Sequence, residues 1–167
     1  MLEATHGPWS SRLKCILAAG VAAGLADMVY ATVRSLMAAG SADTPWRAVA
    51  SGWIGRSAQG GGPAPVILGL ATHFGLAILM AAVWVLAVRG VAPAQRRRWV
   101  AATAYGLSLY AVMYCLVLPL RWPSAFPRWE GWGSVFDVLA HLGVGLIIAW
   151  VAGRPAVDNP PPHGART

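Results

Sequence analysis

Four long apolar runs set the pattern of the chain, and each has the length of a membrane-crossing helix. A helix needs about 20 residues to cross the hydrocarbon layer, because each residue adds about 1.5 Å of rise. The pattern therefore predicts an all-α integral membrane protein, a four-helix up-down bundle. The predicted spans run from about Leu13 to Met37, Pro65 to Val88, Trp99 to Leu120 and Ser134 to Val151.

The first run has a second interpretation, because a cleaved signal peptide also places basic residues before an apolar stretch. Arg12 and Lys14 precede this run. The apolar stretch continues past Met28 to Leu36, however, which is longer than a signal peptide requires. We interpret it as the first span.

The segment between the first two spans carries helical signals of its own. Thr44 is a candidate N-cap for a helix that begins with Pro45, and the Gly-Gly-Gly-Pro sequence at 60–63 should end it. We expect a short periplasmic interfacial helix that lies flat on the membrane, with a re-entrant loop as the alternative. Its expected apolar face is Trp46, Val49, Ala50, Trp53 and Ile54, with Arg47, Ser51 and Arg56 toward headgroups and water.

The composition supports a membrane location and excludes an ordinary soluble domain. Of the 167 residues, 57% are hydrophobic and 11% are charged, and the mean hydropathy is +0.55. The apolar surplus must face the lipid bilayer, since there is too little charge to coat a soluble domain. The formal net charge of +7 does not predict nucleic-acid binding, because the basic residues stand at the ends of the apolar runs.

Charge and composition also predict the orientation and the domain boundary. The short loop that contains Arg96, Arg97 and Arg98 is costly to translocate, so this loop and both termini are expected in the cytoplasm. Residues 1–153 then form the membrane domain. Residues 154–167 are rich in proline and polar residues, which predicts a disordered cytoplasmic tail.

Each predicted span carries one face of small and polar residues. On the first span this face begins with Gly20 and Gly24, a GxxxG pair that lets a neighbouring helix approach closely. Such faces should turn toward one another, because lipid offers no partner to a carboxylate or an imidazole. The remaining members are Asp27, Tyr30 and Arg34 on the first span, Gly69, Thr72 and His73 on the second, Gly106, Tyr110 and Tyr114 on the third, and Ser134, Asp137, His141 and Gly145 on the fourth.

The helical rise brings these polar residues to a similar height, in the outer half of the bilayer. Ionisable side chains inside a membrane are costly and are therefore candidates for function. We take four residues as a candidate metal site or proton relay: Asp27, His73, His141 and Asp137. Four more residues could support them: Tyr30, Arg34, Tyr110 and Tyr114.

Each candidate also has a purely structural interpretation. Asp137 follows Ser134 at the spacing of a capping box, which would only stabilise the start of the fourth span. The two histidines could be satisfied by hydrogen bonds between helices, and the tyrosines could be packing aromatics. Asp27 is the strongest candidate, because a carboxyl group at its depth must stay protonated, pair with a cationic side chain or bind a cation.

Three classes of function remain open. Mixed imidazole and carboxylate groups suit a divalent metal ion or a proton relay. Alternatively, His73 and His141 could hold a b-type haem between alternate helices, as in an electron-transfer subunit. The third class is an accessory subunit of a membrane complex, or a homo-oligomer, whose polar layer only fixes helix packing. An enzyme is less favoured, because the sequence has no nucleophile elbow or phosphate-binding loop.

Several stretches resemble short, uncharacterised four-helix bacterial inner-membrane proteins. The similar residues lie at 18–30, 50–62, 68–74 and 105–114, and they include Asp27 and His73. This resemblance extends to about Val151 and implies four spans and a bacterial inner membrane. It carries no activity, because that family has none assigned.

Overall fold

The computed structural model describes residues 8–153, which form helices and connecting loops without a β-strand. Four helices in this range are long and apolar enough to cross a membrane, which confirms the four predicted spans. The first begins at Trp9, four residues before the predicted start at Leu13. The predicted tail at 154–167 lies outside the described residues. The four helices span Trp9–Met37, Ala64–Val88, Arg98–Arg121 and Trp132–Ala152.

In the described range the chain forms seven α-helices and three irregular helical turns. The α-helices are α1 (Pro8–Met37), α2 (Thr44–Ile54), α3 (Ala64–Val83), α4 (Ala92–Arg96), α5 (Arg98–Val112), α6 (Leu118–Arg121) and α7 (Trp132–Ala152). A 3-10 turn, Gly55–Gln59, follows α2, and π-helical turns follow α3 at Trp84–Val88 and α5 at Met113–Val117. Pro119 accounts for the second π turn, because its ring crowds the carbonyl group four residues earlier.

The long helices pack in the order α3, α1, α7, α5, with α1 between α3 and α7. The outer two members of this row meet near one end. There the Tyr105 hydroxyl group donates a 2.7 Å hydrogen bond to the Met80 carbonyl oxygen, and its ring lies 5.3 Å from the ring of Trp84. We call this the Trp84 end. The opposite end, where Arg34 meets Glu130, is the Glu130 end.

Glycines set the closest helix approaches. A Cβ atom on Gly106 of α5 would lie 2.6 Å from the His141 carbonyl oxygen of α7, and one on Gly145 would lie 2.5 Å from the Ala102 carbonyl oxygen. On α1, a Cβ atom on Gly20 would lie 2.6 Å from the Cα atom of Ile78. The neighbour admitted by the GxxxG pair is therefore α3 of the same chain.

The outward face of α1 is apolar along its whole length. Leucine and valine recur there at every fourth position and leave 42% to 59% of their surface uncovered: Leu13, Leu17, Val21, Leu25, Val29 and Val33. The opposite face is buried toward the Trp84 end, where alanines and one large ring form the core: Ala19, Ala23, Ala81, Trp84, Ala102 and Ala149. This arrangement, with small residues inside and large ones outside, is typical of helices that pack within lipid.

The short helix α2, expected on the membrane surface, packs on the first turns of α3. Gly69 makes room for the backbone of Trp46, whose ring is only 5% exposed. The five residues of the expected apolar face do not share one environment. Trp46 is buried, whereas Trp53 is 67% exposed and its indole nitrogen donates a 3.0 Å hydrogen bond to the Thr72 hydroxyl group. Ser51, expected to face water, accepts a 3.1 Å hydrogen bond from the Trp122 indole. Packing on a neighbouring helix thus replaces part of the expected lipid contact.

Arg47 also differs from its expected position, because it folds back over the loop that follows α2. Its guanidinium group donates to the carbonyl oxygens of Gly60 at 2.6 Å and Gly62 at 3.0 Å, and its Nε atom lies 2.6 Å from Asp43. Hydrogen bonds from Ser41 and Arg47 hold the pKa of Asp43 below its ordinary value of 3.8. These groups form the Arg47 clamp, which fixes the chain between α2 and α3.

Candidate functional site

The Asp137 side chain is the centre of the polar contacts between α1 and α7. The Tyr30 hydroxyl group donates a 2.6 Å hydrogen bond to its Oδ1 atom, and the Arg34 Nε atom lies 3.4 Å from the same oxygen. Tyr30 and Arg34 are four residues apart on α1, so both project from one face. With 13% of its side chain exposed, Asp137 receives a hydroxyl donor and a positive charge from α1.

Arg34 extends this cluster to the end of the helices. Its Nη2 atom lies 3.4 Å from a carboxylate oxygen of Glu130, which also pairs with Arg128. Gly133 allows this arrangement, because a Cβ atom there would lie 2.7 Å from the Arg34 guanidinium group. Arg34 therefore connects a partly exposed carboxylate in the loop with a more buried one on α7.

The expected capping box at the start of α7 is wrong. The N-cap is Gly131, and Ser134 lies inside the helix, where its hydroxyl group accepts a 2.8 Å hydrogen bond from the Glu130 backbone N–H. Asp137 faces Tyr30 instead of the helix start. The helix begins two residues earlier than predicted, which moves Ser134 and Asp137 away from the capping positions.

A second ionisable pair lies between α1 and α3. The His73 Nδ1 atom is 3.9 Å from a carboxylate oxygen of Asp27, and its Nε2 atom is 2.9 Å from the Gly24 carbonyl oxygen. A carbonyl oxygen only accepts hydrogen bonds, so Nε2 carries a hydrogen and Nδ1 is the atom that gains or loses a proton. The distance of 3.9 Å exceeds a hydrogen bond but allows an ion pair.

Aromatic rings enclose this histidine. The ring of Trp46 lies 5.2 Å from the imidazole and that of Phe74 lies 5.3 Å away, both in edge-on geometry. The His73 side chain is 13% exposed, and that of Asp27 is 27% exposed. The helix α2 therefore covers His73 and leaves Asp27 as its ionisable neighbour.

His141 lies in a different environment, between α5 and α7. Its Nδ1 atom is 2.8 Å from the Asp137 carbonyl oxygen, which leaves Nε2 as its proton-accepting atom. Tyr110 and Tyr114 stack at 4.5 Å and meet the imidazole edge-on at 5.6 Å and 5.7 Å. Tyr114 also interacts with the Asp137 carboxylate, so this carboxylate contacts side chains from both neighbouring helices.

The eight candidate residues lie at several helix interfaces, and Tyr30 interacts with both Asp27 and Asp137. His73 and Asp27 lie between α1 and α3, while His141 lies with the tyrosines of α5. Between residues 9 and 153, His, Cys, Asp and Glu side chains form no group of three or more that could surround a metal ion. The two imidazoles face different helices, which is not the arrangement expected for two axial ligands of one haem.

Two residues of these groups were absent from the predicted set. Glu130 is the acidic residue of the loop before α7, and it pairs with Arg34. The predicted topology places this loop and Arg34 at the same end of the bundle, so the pair could have been predicted from the sequence. Trp46 was assigned to a lipid-facing helix, and its contact with His73 depends on how α2 packs. That packing leaves no signal in the sequence of α2 alone.

No protein-family model, curated protein or solved structure matches this chain, so the interpretation of the site rests on its own geometry.

Proposed function

We propose that this chain is a multi-pass protein of a bacterial inner membrane in which Asp27 and His73 accept and release protons. The contact between these two side chains is the observation that carries the proposal. With Nε2 held by a carbonyl oxygen, Nδ1 is the nitrogen that faces the Asp27 carboxylate. Imidazole is the side chain whose charge changes near neutral pH.

The position of the polar residues on α1 supports proton exchange from the Glu130 end. Arg34, Tyr30 and Asp27 follow one another along one face of the helix, from a partly exposed position inward. Beyond Gly24 the buried face of α1 consists of Ala23, Ala19 and Ile16, which offer a proton no carrier. The proposed activity is therefore proton binding from one side, without conduction across the membrane.

The proposed orientation places the Glu130 end outside and the Trp84 end in the cytoplasm. The basic residues of α4 and the start of α5 support it, because arginine-rich short loops remain on the cytoplasmic side. In this orientation the Asp27–His73 pair responds to the pH of the external compartment.

The experiment follows the protonation of each imidazole by ¹⁵N NMR of histidine-labelled protein in lipid nanodiscs. We expect the Nδ1 resonance of His73 to respond to pH, because this nitrogen is the one that accepts a proton. In Asp27→Asn the response should change, because the carboxylate 3.9 Å from Nδ1 is gone. Glu130→Gln removes a carboxylate outside this pair and away from α2, and it serves as the matched control.

The proposal fails if the Nδ1 resonance of His73 does not respond to pH, or if Asp27→Asn and Glu130→Gln give the same result. His141 provides an internal comparison, since it lies between α5 and α7 and its resonances should not depend on Asp27.

A second candidate function, that of an accessory subunit, is supported by the hydrogen bonding of the buried polar groups. Among the described residues, every buried side-chain nitrogen and oxygen atom has a hydrogen-bond partner. This is expected if the polar contacts only hold the helices of an accessory subunit together. In that case Asp27→Asn lowers the thermal stability but leaves the protonation of His73 unchanged.

A further inference from the structure

Two neighbouring cavities lie at the Trp84 end, away from the Asp27–His73 pair. The first has a volume of about 260 Å³ and is lined by two arginines, Arg89 and Arg98, and by Gln95. Its remaining walls come from the ends of α3 and α7, at Trp84, Ala149 and Gly153. It is therefore a basic cavity where several long helices end.

The two arginines of this cavity lack an acidic partner in the described part of the chain. The acidic residues between 9 and 153 with ion pairs are Asp27, Asp43, Glu130 and Asp137, and none of these pairs includes Arg89 or Arg98. Arg98 lies over the ring of Trp99 and against Gly153 at the end of α7. Arg89 is exposed at the end of the π turn after α3. Within residues 8–153, the positive charge of this cavity thus has no acidic partner.

The second cavity is an apolar groove of about 430 Å³ between the π turn that follows α3, the helix α4 and the first turns of α5. The two cavities are neighbours, because Ala94 lines both of them. In addition, Val88 lines the groove and the next residue, Arg89, lines the basic cavity. Val100, Ala101 and Ala104 continue the groove along α5, and Arg97 stands at its edge.

We propose that these two cavities form a binding site for one anionic phospholipid. The phosphate group lies between Arg89 and Arg98, and an acyl chain follows the groove along Val100 and Ala104. Charge complementarity selects a negative headgroup, and basic cavities between helices at the cytoplasmic surface are where such headgroups bind. The apolar groove selects a lipid over a soluble phosphate ester, because a soluble ester leaves this surface uncovered.

The test titrates delipidated full-length protein in detergent and counts bound lipid by native mass spectrometry. Phosphatidylglycerol is compared with phosphatidylcholine of the same acyl chains. We expect the anionic lipid to bind at least about tenfold more tightly. Arg89→Gln should weaken its binding about fivefold, as expected for one arginine near an anionic headgroup. Arg56→Gln, an exposed arginine near the Glu130 end, should leave binding unchanged.

The apolar groove is tested with a second pair of variants. Ala104→Trp fills the groove and should weaken phosphatidylglycerol binding, while Leu107→Trp changes an exposed residue of α5 outside the groove and should not. Neither position contributes to the apolar core, so both variants should fold.

Three results would overturn the proposal. One is equal affinity for the two lipids, and another is an equal loss of binding in Arg89→Gln and Arg56→Gln. The third is competition by glycerol phosphate, which has no acyl chain, at the concentration at which phosphatidylglycerol binds. That result would identify a site for soluble phosphate instead of a lipid.

Discussion

Tyr30 on α1 and Asp137 on α7 form the shortest polar contact between these two helices, with 2.6 Å between the hydroxyl and carboxylate oxygens. Asp137 is 107 positions further along the chain, so this contact depends on the complete fold. Since Arg34 contacts the same carboxylate oxygen, one face of α1 supplies two of its partners.

Removing the Tyr30 hydroxyl group should destabilise the protein. In Tyr30→Phe the Asp137 carboxylate loses one donor, and a hydrogen bond to a charged group contributes about 1.5–3 kcal/mol. We expect a loss of about 1–2 kcal/mol in the free energy of unfolding, measured by denaturant titration in detergent, because Arg34 and Tyr114 remain. Tyr110→Phe is the control and should have a smaller effect; equal effects would contradict the prediction.

The α5–α7 crossing should not tolerate a methyl group at Gly106. The Cβ atom of Gly106→Ala would lie 2.6 Å from a backbone oxygen of α7, so the helices must separate. Overpacking of this kind costs about 1–3 kcal/mol, measured by thermal unfolding. Gly143→Ala on α7 adds the same methyl group where nothing lies within 4 Å, and it should be neutral or slightly stabilising.

Replacing Arg47 with lysine should open the Arg47 clamp although the charge is retained. The guanidinium group uses three nitrogen atoms to reach Asp43 and the loop carbonyl oxygens, and a single ammonium group cannot reach all of them. Hydrogen–deuterium exchange of residues 57–62 should become faster by about an order of magnitude, since the hydrogen bonds that hold this loop are lost. Arg56→Lys, in the same segment, should exchange like the wild type.

The same clamp should weaken in acid. The pKa of Asp43 is lowered in the folded protein, so its contribution is complete above the ordinary value of 3.8 and is lost as the pH falls through the lower folded value. NMR of the Arg47 side-chain N–H should show this loss only below about pH 4. Asp43→Asn should show the altered signal at every pH; a wild-type signal that changes near neutral pH would contradict the prediction.

The sequence alone predicted the spans and the residues that share a face, because helical periodicity determines both. It placed Asp27, Tyr30 and Arg34 on one face of α1, and the structure shows Asp27 with His73 and Tyr30 and Arg34 with Asp137. Periodicity does not determine which neighbour a face meets. The order of the helices depends on where their surfaces approach, as at Gly20 and Gly106.

The separation of the two histidines follows from this order. His73 meets α1 and His141 meets α5, because α1 lies between α3 and α7. A calculation of depth along each span brings both imidazoles to a similar height in the membrane. It does not show toward which neighbouring helix each side chain points. The packing of α2 on α3 could not be predicted from the sequence of α2 either, since the close approach of the two helices requires Gly69 on α3.

The central position of α1 makes the spacing within this helix sensitive to insertions and deletions. Each residue turns an α-helix by about 100°. One residue inserted between Gly24 and Asp27 would turn Asp27 away from His73, or Tyr30 and Arg34 away from Asp137, depending on which end of the helix stays in place. Natural variation in the length of this helix should therefore be confined to its two ends.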